Sequence, residues 1–319
     1  MLYEKGDNYR MKKVVVFGGG TGISNLLSGL KLFPLEVTTV VAVSDNGSST
    51  GVLKAELDIP AVGDVGKVLL SMANVDSDFV DLMRYRFCKV GTLHNHPVRN
   101  IILAALIDIK GSLTEAAKYM SKLLNVKGTV LPLTEDKVEL VGRGVSEEYF
   151  GEESVSQNVC NIEQLAYDHE ISVRPEIIQA IREADLLIMS PGSLYTSIIP
   201  HLLAKEVVEA IDESKAPLVY VSNLVSQPGE TDGYSVGDHV AVLNRYLSGR
   251  KIDVVIANNG TVDEDVRKKY IDTEGKEIVP IEGVEDVEVI ADDIFSIENG
   301  KIRHDSLKTA YLIFSYIMR

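Results

Sequence analysis

The chain has no tryptophan, only two cysteines, and fewer basic than acidic side chains among its 319 residues. Two cysteines cannot build the disulfide framework of a small secreted protein, so a cytoplasmic location is expected. The 32 basic and 47 acidic residues give a formal net charge of −15. Because a strongly acidic protein is repelled by phosphate backbones, we expect no nucleic-acid partner.

Long apolar runs are also missing. No segment approaches the roughly 20 apolar residues of a membrane-spanning helix, so no membrane partner is expected. Residues 1–11 form a polar N-terminal extension that lacks the apolar core of a signal peptide. The chain is nevertheless 45% hydrophobic, which is enough for a folded protein. Composition leaves monomer and homo-oligomer open.

Short apolar runs alternate with helical patterns along most of the chain. An apolar run at 14–17 leads through a glycine turn into a helix, and a second run follows at 37–43. Similar runs return at 184–189, 217–222, 252–257 and 287–290, with amphipathic segments between them. This pattern is typical of an α/β, Rossmann-like fold, in which a mainly parallel sheet carries helices on both faces.

The middle of the chain has a different pattern. Residues 65–172 combine helical segments with short β-like pieces rich in Glu and Ser. They predict an inserted, mostly helical subdomain, while 12–64 and 173–319 form the nucleotide-binding core. No flexible linker separates the two parts, so we expect a compact unit with a cleft between them.

The first candidate site is the glycine turn after the first strand. Gly19, Gly20, Thr21 and Gly22 would let a ligand phosphate approach the backbone N–H groups of the following helix. The strict dinucleotide pattern fails because Ile23 stands at its last glycine, and no Walker lysine follows. A tight turn without a ligand is the alternative.

The second candidate site follows the second strand. Asp45 lies where dinucleotide folds place a ribose-binding acid, and Ser48 and Ser49 extend the same polar loop. Asp64 lies before the next helix, where it would either cap that helix or join Asp45 around Mg²⁺. A solvated loop that caps a helix is the alternative for the whole segment.

Further polar residues begin or follow other elements. His96, Arg99 and Asn100 lead a helix, a position suited to a phosphate or a base edge. His94 and His96 do not share a helix face, which argues against zinc. A second glycine turn supplies Pro191, Gly192, Ser193 and Thr196, and Asn223 opens a polar loop that is either a ligand contact or a surface turn. Arg303 could hold a phosphate through two parallel hydrogen bonds.

These motifs suit phosphate binding better than covalent catalysis. No nucleophile motif is present, and we expect no tightly bound organic cofactor. Phosphoryl or nucleotidyl transfer with Mg²⁺ and plain nucleotide sensing both fit the pattern.

As a set, six segments are highly specific: Gly-Gly-Gly-Thr-Gly, Ser-Asp-Asn-Gly-Ser-Ser-Thr-Gly, Gly-Asp, His-x-x-x-Asn, Ser-Pro-Gly-Ser-Leu-Tyr-Thr-Ser and Gln-Pro-Gly-Glu-Thr-Asp-Gly-Tyr-Ser. From Lys12 on, the chain resembles the bacterial gluconeogenesis factor family (the YvcK type). That family is related to the 2-phospho-L-lactate transferases (the CofD type), which attach phospholactate to a deazaflavin precursor and release GMP. The resemblance implies nucleotide-sugar binding and a link to cell shape and to growth on gluconeogenic carbon sources. In the transferase branch it implies Mg²⁺.

By position, Asp45 and Asn46 fall where the transferase branch has two aspartates, so they are the catalytic candidates. Asp45 is the candidate metal ligand, and Asn46 weakens a site built on two carboxylates. The family's usual Gly-Asp-x-Arg-Asn has Gly66 in place of its arginine, while Arg99 stands where the family has glycine. We predict that Arg99 fills the space left at Gly66.

The leading hypothesis is a regulator that binds a nucleotide or a nucleotide sugar such as a UDP-sugar. The alternative is an enzyme that transfers phospholactate from a nucleoside-diphosphate-linked donor. An NAD(P) dehydrogenase is a weaker third reading because the strict fingerprint is missing.

Overall fold

The computed structural model describes residues 10–319, and the predicted extension 1–11 therefore lies mostly outside the described residues. One sheet contains seven strands, namely β1 (Lys12–Gly18), β2 (Leu35–Val41), β3 (Thr129–Pro132), β7 (Leu186–Met189), β8 (Leu218–Val221), β9 (Val254–Asn258) and β10 (Glu288–Asp292). All seven are parallel, and they lie in the order β10-β9-β8-β7-β1-β2-β3. The predicted α/β, Rossmann-like fold is confirmed.

Thirteen helices accompany the strands in the described residues. The first seven are α1 (Gly20–Leu30), α2 (Ser48–Leu57), α3 (Gly63–Ser71), α4 (Ser77–Arg84), α5 (Val98–Lys110), α6 (Leu113–Leu123) and α7 (Glu152–Gln157). The others are α8 (Pro175–Glu183), α9 (Ile199–Leu202), α10 (Lys205–Glu213), α11 (Val236–Tyr246), α12 (Glu264–Glu274) and α13 (Ser306–Ile317). None of these helices is both long and apolar enough to cross a membrane.

Two smaller sheets lie outside the main one. Strands β4 (Leu140–Arg143), β5 (Glu148–Phe150) and β6 (Gln164–Tyr167) pair antiparallel within the middle segment. Strands β11 (Phe295–Glu298) and β12 (Lys301–His304) form a hairpin before the last helix. The proposed division at 65–172 stays a prediction, and the structure shows that this segment also contributes β3 to the main sheet.

The strand order positions the site. β1 pairs with β2 on one side and with β7 on the other, so the order in which the chain adds strands to this parallel sheet reverses between β1 and β7. In open α/β sheets a crevice forms outside the carboxyl ends of the strands at such a point. The four central residues of β1 and all of β7 are buried, which fixes this pair of strands in the core.

The core contains ionisable residues, of which His201 is one. His201 is fully buried, and its Nδ1 and Nε2 atoms lie 3.1 Å from the carbonyl oxygens of Ile198 and Val40, respectively. A neutral imidazole has one N–H and can donate to only one of these carbonyls. Burial nevertheless dominates and lowers the pKa of His201 to about 4.

This burial predicts acid sensitivity. Between pH 6.5 and about 4 the unfolded chain binds a proton that folded His201 does not, so stability is lost as the pH falls through this window. His201→Gln removes this proton uptake. We expect the acid-induced loss of unfolding free energy in urea titrations to shrink by roughly 1–2 kcal/mol.

His94→Gln is the matched control because His94 is exposed and forms no ion pair in the described residues. It should leave the pH profile of unfolding close to that of the wild type. An equal acid-induced loss in wild type and His201→Gln would contradict the assignment.

Candidate functional site

The glycine turn after β1 and the turn after β7 touch each other through their backbones. A Cβ atom at Gly22 would collide with the carbonyl oxygen of Pro191, and one at Gly18 would collide with the Ser190 hydroxyl. Gly20 has φ +69°, a left-handed conformation that favours glycine. These positions therefore favour glycine, because the two turns pack closely between β1 and β7, where the order of the strands reverses.

A cavity of about 470 Å³ opens on these turns, and we call it the glycine pocket. Nine of the residues predicted from the sequence line it, namely Gly19, Gly20, Thr21, Gly22, Pro191, Gly192, Ser193, Asn223 and Arg303. Lys276 adds a second cation at its wall. The two glycine turns thus share one cavity, whereas Asp45, Ser48, Ser49 and Asp64 do not line it.

Asn223 fixes the second turn. Its Oδ1 accepts a hydrogen bond of 2.9 Å from the Gly192 N–H, and its Nδ2 donates one of 2.8 Å to the Gly192 carbonyl. Both polar groups of Gly192 are therefore held by one side chain from the end of β8. Asn223 lines the pocket and also positions its backbone.

Glu230 supports the same turn from behind and was not singled out in the sequence. Its Oε1 accepts hydrogen bonds from the Ser193 hydroxyl at 2.6 Å and the Tyr195 N–H at 2.8 Å. The carboxyl is 3% exposed and its Oε2 has no partner, and burial raises the pKa of Glu230. The 223–235 loop is therefore more than a surface turn, because its centre enters the core.

Thr196 lies in a π-helical turn at 194–198, a form often found at functional sites. Its Oγ1 lies 2.7 Å from the Ser193 hydroxyl oxygen and 3.2 Å from Glu152 Oε1. Thr196 does not line the glycine pocket but connects its wall to a carboxylate of the middle segment.

Three carboxylates gather beside the glycine turn. Asp45 Oδ2 would lie 2.8 Å from a Cβ at Gly63, and Asp64 Oδ2 would lie 2.8 Å from a Cβ at Gly19. No side chain caps α3, so the interpretation of Asp64 as a helix cap is wrong. Burial, followed by the charge of Asp45 and a hydrogen bond with it, raises the pKa of Glu152 to about 8.

Asp64 has a cationic neighbour. Its Oδ1 accepts a hydrogen bond of 2.8 Å from Lys67 Nζ. Burial raises the pKa of Asp64 in spite of this pairing, and the charge of Asp45 adds to the rise. The pKa of Lys67 is also raised, because the contact with Asp64 outweighs the burial that opposes it. This corner of the site carries more negative charge than its lysine compensates.

Asn46 does not point into an open site. Its Oδ1 accepts a hydrogen bond of 3.2 Å from the Glu152 N–H, and Gly151 packs against its amide. Glu152 instead brings a carboxylate to Asp45. The second carboxyl group that Asn46 lacks is thus supplied by a residue distant in sequence, and its raised pKa of about 8 leaves it mostly protonated at neutral pH.

Ser49, His96 and Asn100 contact each other rather than a cavity. The Ser49 hydroxyl lies 2.9 Å from His96 Nδ1 and accepts a hydrogen bond of 3.2 Å from Asn100 Nδ2. All three side chains are at least 95% buried. They join the start of α2 to the start of α5, whereas Ser48 is exposed. Ligand contact by these four residues stays a prediction.

Arg99 lies where the sequence comparison predicted it. Its Cδ would lie 3.2 Å from a Cβ placed on Gly66, so its side chain occupies the space beside that glycine. Arg99 is 6% exposed, and burial lowers its pKa to about 10. The expected contact between the two helix starts is confirmed.

Sequence reasoning missed Glu152 and Glu230. Glu152 lies in an acidic stretch that suggested a solvated surface, and Glu230 lies in a loop whose Pro-Gly pair suggested a turn. Glu230 lies within a segment already marked as special, whereas no motif in the sequence pointed to Glu152.

The contact at Gly22 yields a stability prediction. Gly22→Ala would place a methyl group against the Pro191 backbone, which cannot move without disturbing β7. We expect a loss of about 1–3 kcal/mol in urea unfolding, although alanine is the better helix former.

Gly249→Ala is the matched control, since its Cβ would find only Asp212 Oδ2 at 3.7 Å. Gly249→Ala should unfold at nearly the wild-type denaturant concentration. Equal stability of Gly22→Ala and wild type would show that the two turns are not in firm contact.

The chain matches one known protein family and several of its members. The family model described as 2-phospho-L-lactate transferase CofD matches residues 14–295. The gluconeogenesis factor of Bacillus subtilis is 40% identical over 94% of this chain and 96% of its own length. That of Listeria monocytogenes is 36% identical over 93% of each chain.

A solved structure also matches this chain over nearly its whole length. The crystal structure of a UPF0052 family member from Bacillus halodurans is 35% identical, covers 95% of this chain and 99% of its own, and superposes with a TM-score of 0.90. The chain therefore belongs to the CofD family, and within that family to the gluconeogenesis factors.

Proposed function

We propose that the protein is a cytoplasmic regulator that binds a nucleotide or nucleotide sugar, with a UDP-sugar as the first candidate, in the glycine pocket. The main observation behind this proposal is that two glycine turns meet between β1 and β7, where the order of the strands reverses. By analogy with its relatives, the bound ligand would link the protein to growth on gluconeogenic carbon sources and to cell shape.

The chemistry of the pocket suits a diphosphate. The N-cap residue of α1 makes no side-chain hydrogen bond. Asp64 accepts from the Gly20 N–H, and the other N–H groups of the first turn are available to an anion. Arg303 and Lys276 add positive charge, and the volume of about 470 Å³ falls within the range of small-molecule sites. An acidic protein can bind phosphates in this way because the binding groups are mostly backbone dipoles.

Mg²⁺ fits the carboxylates beside the pocket. The described residues hold no group of three His, Cys, Asp or Glu side chains with metal-site geometry. Mg²⁺, however, is commonly bound by one or two carboxylates together with phosphate oxygens and water. Asp45 and Asp64 would supply the carboxylates, and their mutual repulsion with Glu152 favours a cation.

The alternative function is phospholactate transfer from a nucleoside-diphosphate-linked donor. The carboxylates at the pocket edge favour it, because a metal held there would stabilise charge on a transferring phosphoryl group. Release of GMP in the presence of an acceptor would establish the enzyme and overturn the regulator. Tight UDP-sugar binding without turnover would support the regulator.

Calorimetry with UDP-N-acetylglucosamine, GDP and GTP tests the ligand. We expect the UDP-sugar to bind most tightly, and Arg303→Met to weaken it about tenfold through loss of a charge-assisted contact. Arg267→Met, which removes the same charge from exposed α12, should not change the affinity. Absence of binding by the wild type would contradict the proposal.

The metal is tested separately. Mg²⁺ should strengthen nucleotide binding by the wild type several-fold in calorimetry with and without chelator, because it neutralises charge between carboxylates and phosphates. Asp45→Asn should abolish this gain, whereas Asp272→Asn on the exposed face of α12 should retain it. An undiminished Mg²⁺ effect in Asp45→Asn would exclude Asp45 as a ligand.

A further inference from the structure

A second cavity of about 680 Å³ lies beside the glycine pocket and carries an unusual charge for this protein. Its wall contains five cationic side chains, those of Lys31, Lys67, Arg84, Arg99 and Arg303, against the single carboxylate of Glu298. We call it the basic pocket. In a chain with a formal charge of −15, such a concentration of positive charge calls for an anionic occupant.

Most of these cations lack an acidic partner. Lys67 is paired with Asp64, but Lys31 Nζ donates only to the carbonyl oxygen of Ala73, and no ion pair involves Arg84 or Arg99 in the described residues. Burial and the neighbouring charge of Arg84 lower the pKa of Lys31. The cations therefore repel each other, and an anion between them would relieve that repulsion.

Arg99 provides an independent sign of a ligand. Its side chain is 94% buried, lines the basic pocket, and has an Nε–H group without a hydrogen-bond partner. A buried guanidinium that leaves a donor unpaired is costly, because the group has lost its water without replacement. A phosphate could accept from this donor in the geometry that guanidinium groups favour.

The rest of the wall indicates the kind of anion. Leu70, Val75 and Val80 form an apolar side, and the serine hydroxyls of the wall already donate to backbone carbonyls of their own helices. An inorganic ion would leave that apolar surface uncovered. The wall therefore suits a compact organic group that carries a phosphate.

We propose that the basic pocket binds a second ligand, a phosphate monoester of a small organic molecule, alongside the nucleotide of the glycine pocket. This goes beyond the proposed function, which assigns only the glycine pocket. The two cavities share Thr21, Asn25 and Arg303, so the two ligands would lie on either side of one arginine.

Calorimetry with phenyl phosphate and with inorganic phosphate tests the proposal. We expect both to bind the wild type, with phenyl phosphate tighter because its ring covers the apolar side. Arg84→Met and Lys31→Met should each weaken phenyl phosphate about tenfold. Arg84 is exposed, so its variant should fold normally, as thermal unfolding would verify.

The control variants separate the two pockets. Arg267→Met should bind phenyl phosphate like the wild type, and so should Lys276→Met, since Lys276 lines only the glycine pocket. Conversely, Arg84→Met and Lys31→Met should bind UDP-N-acetylglucosamine like the wild type. A failure of UDP-sugar binding would contradict the proposed function without affecting this result.

Two results would overturn the second site. The wild type binds neither phosphate compound, or Arg84→Met and Lys31→Met both bind phenyl phosphate like the wild type. Equal affinity of the wild type for phosphate and phenyl phosphate would refute the organic monoester.

Discussion

The site depends on one steric constraint, the direct backbone contact between the turn after β1 and the turn after β7. The order in which the chain adds strands to the sheet reverses between these two strands, and a crevice opens there. Gly22 lets the two turns close to van der Waals contact with Pro191, and Asn223 and Glu230 then hold the second turn from its other sides. Two helix starts are thereby presented to one cavity. The remaining side chains of the site are arranged around this contact and do not create it.

One wall of the site carries a charge opposite in sign to the net charge of the chain. The chain is strongly acidic, yet the cations Lys31, Arg84 and Arg99 face a common cavity with little acidic compensation. On the other side of Lys67, Asp45, Asp64 and Glu152 lie close together, and burial, followed by the charge of Asp45, raises the pKa of Glu152 to about 8. The site therefore has an anionic corner suited to a cation and a cationic wall suited to an anion, and the Lys67–Asp64 ion pair joins them. A phosphate ligand with a metal ion would satisfy both.

Much of the fold could be read from the sequence because buried parallel strands are continuous apolar runs, and helices such as 175–183 begin and end at clear signals. The glycine turns, Arg99 and Arg303 were also identifiable, since small or charged residues at strand ends and helix starts have few other uses. β3 was not recognised as a strand of the main sheet, because a short edge strand carries no signal of its partner. Glu152 and Glu230 were missed for a related reason: their importance comes from burial and from partners distant in sequence.

The contacts of Glu152 join the middle segment to the Rossmann-like core. Glu152 belongs to the middle segment, while Asp45 and Thr196, its neighbours, belong to the Rossmann-like core. Asn46 reinforces this junction by accepting from the Glu152 backbone. The middle segment is therefore not an independent module that could be exchanged between homologous chains. A chimaera that transplants it without also matching the 45–46 loop would lose a carboxylate from the site even if both parents fold.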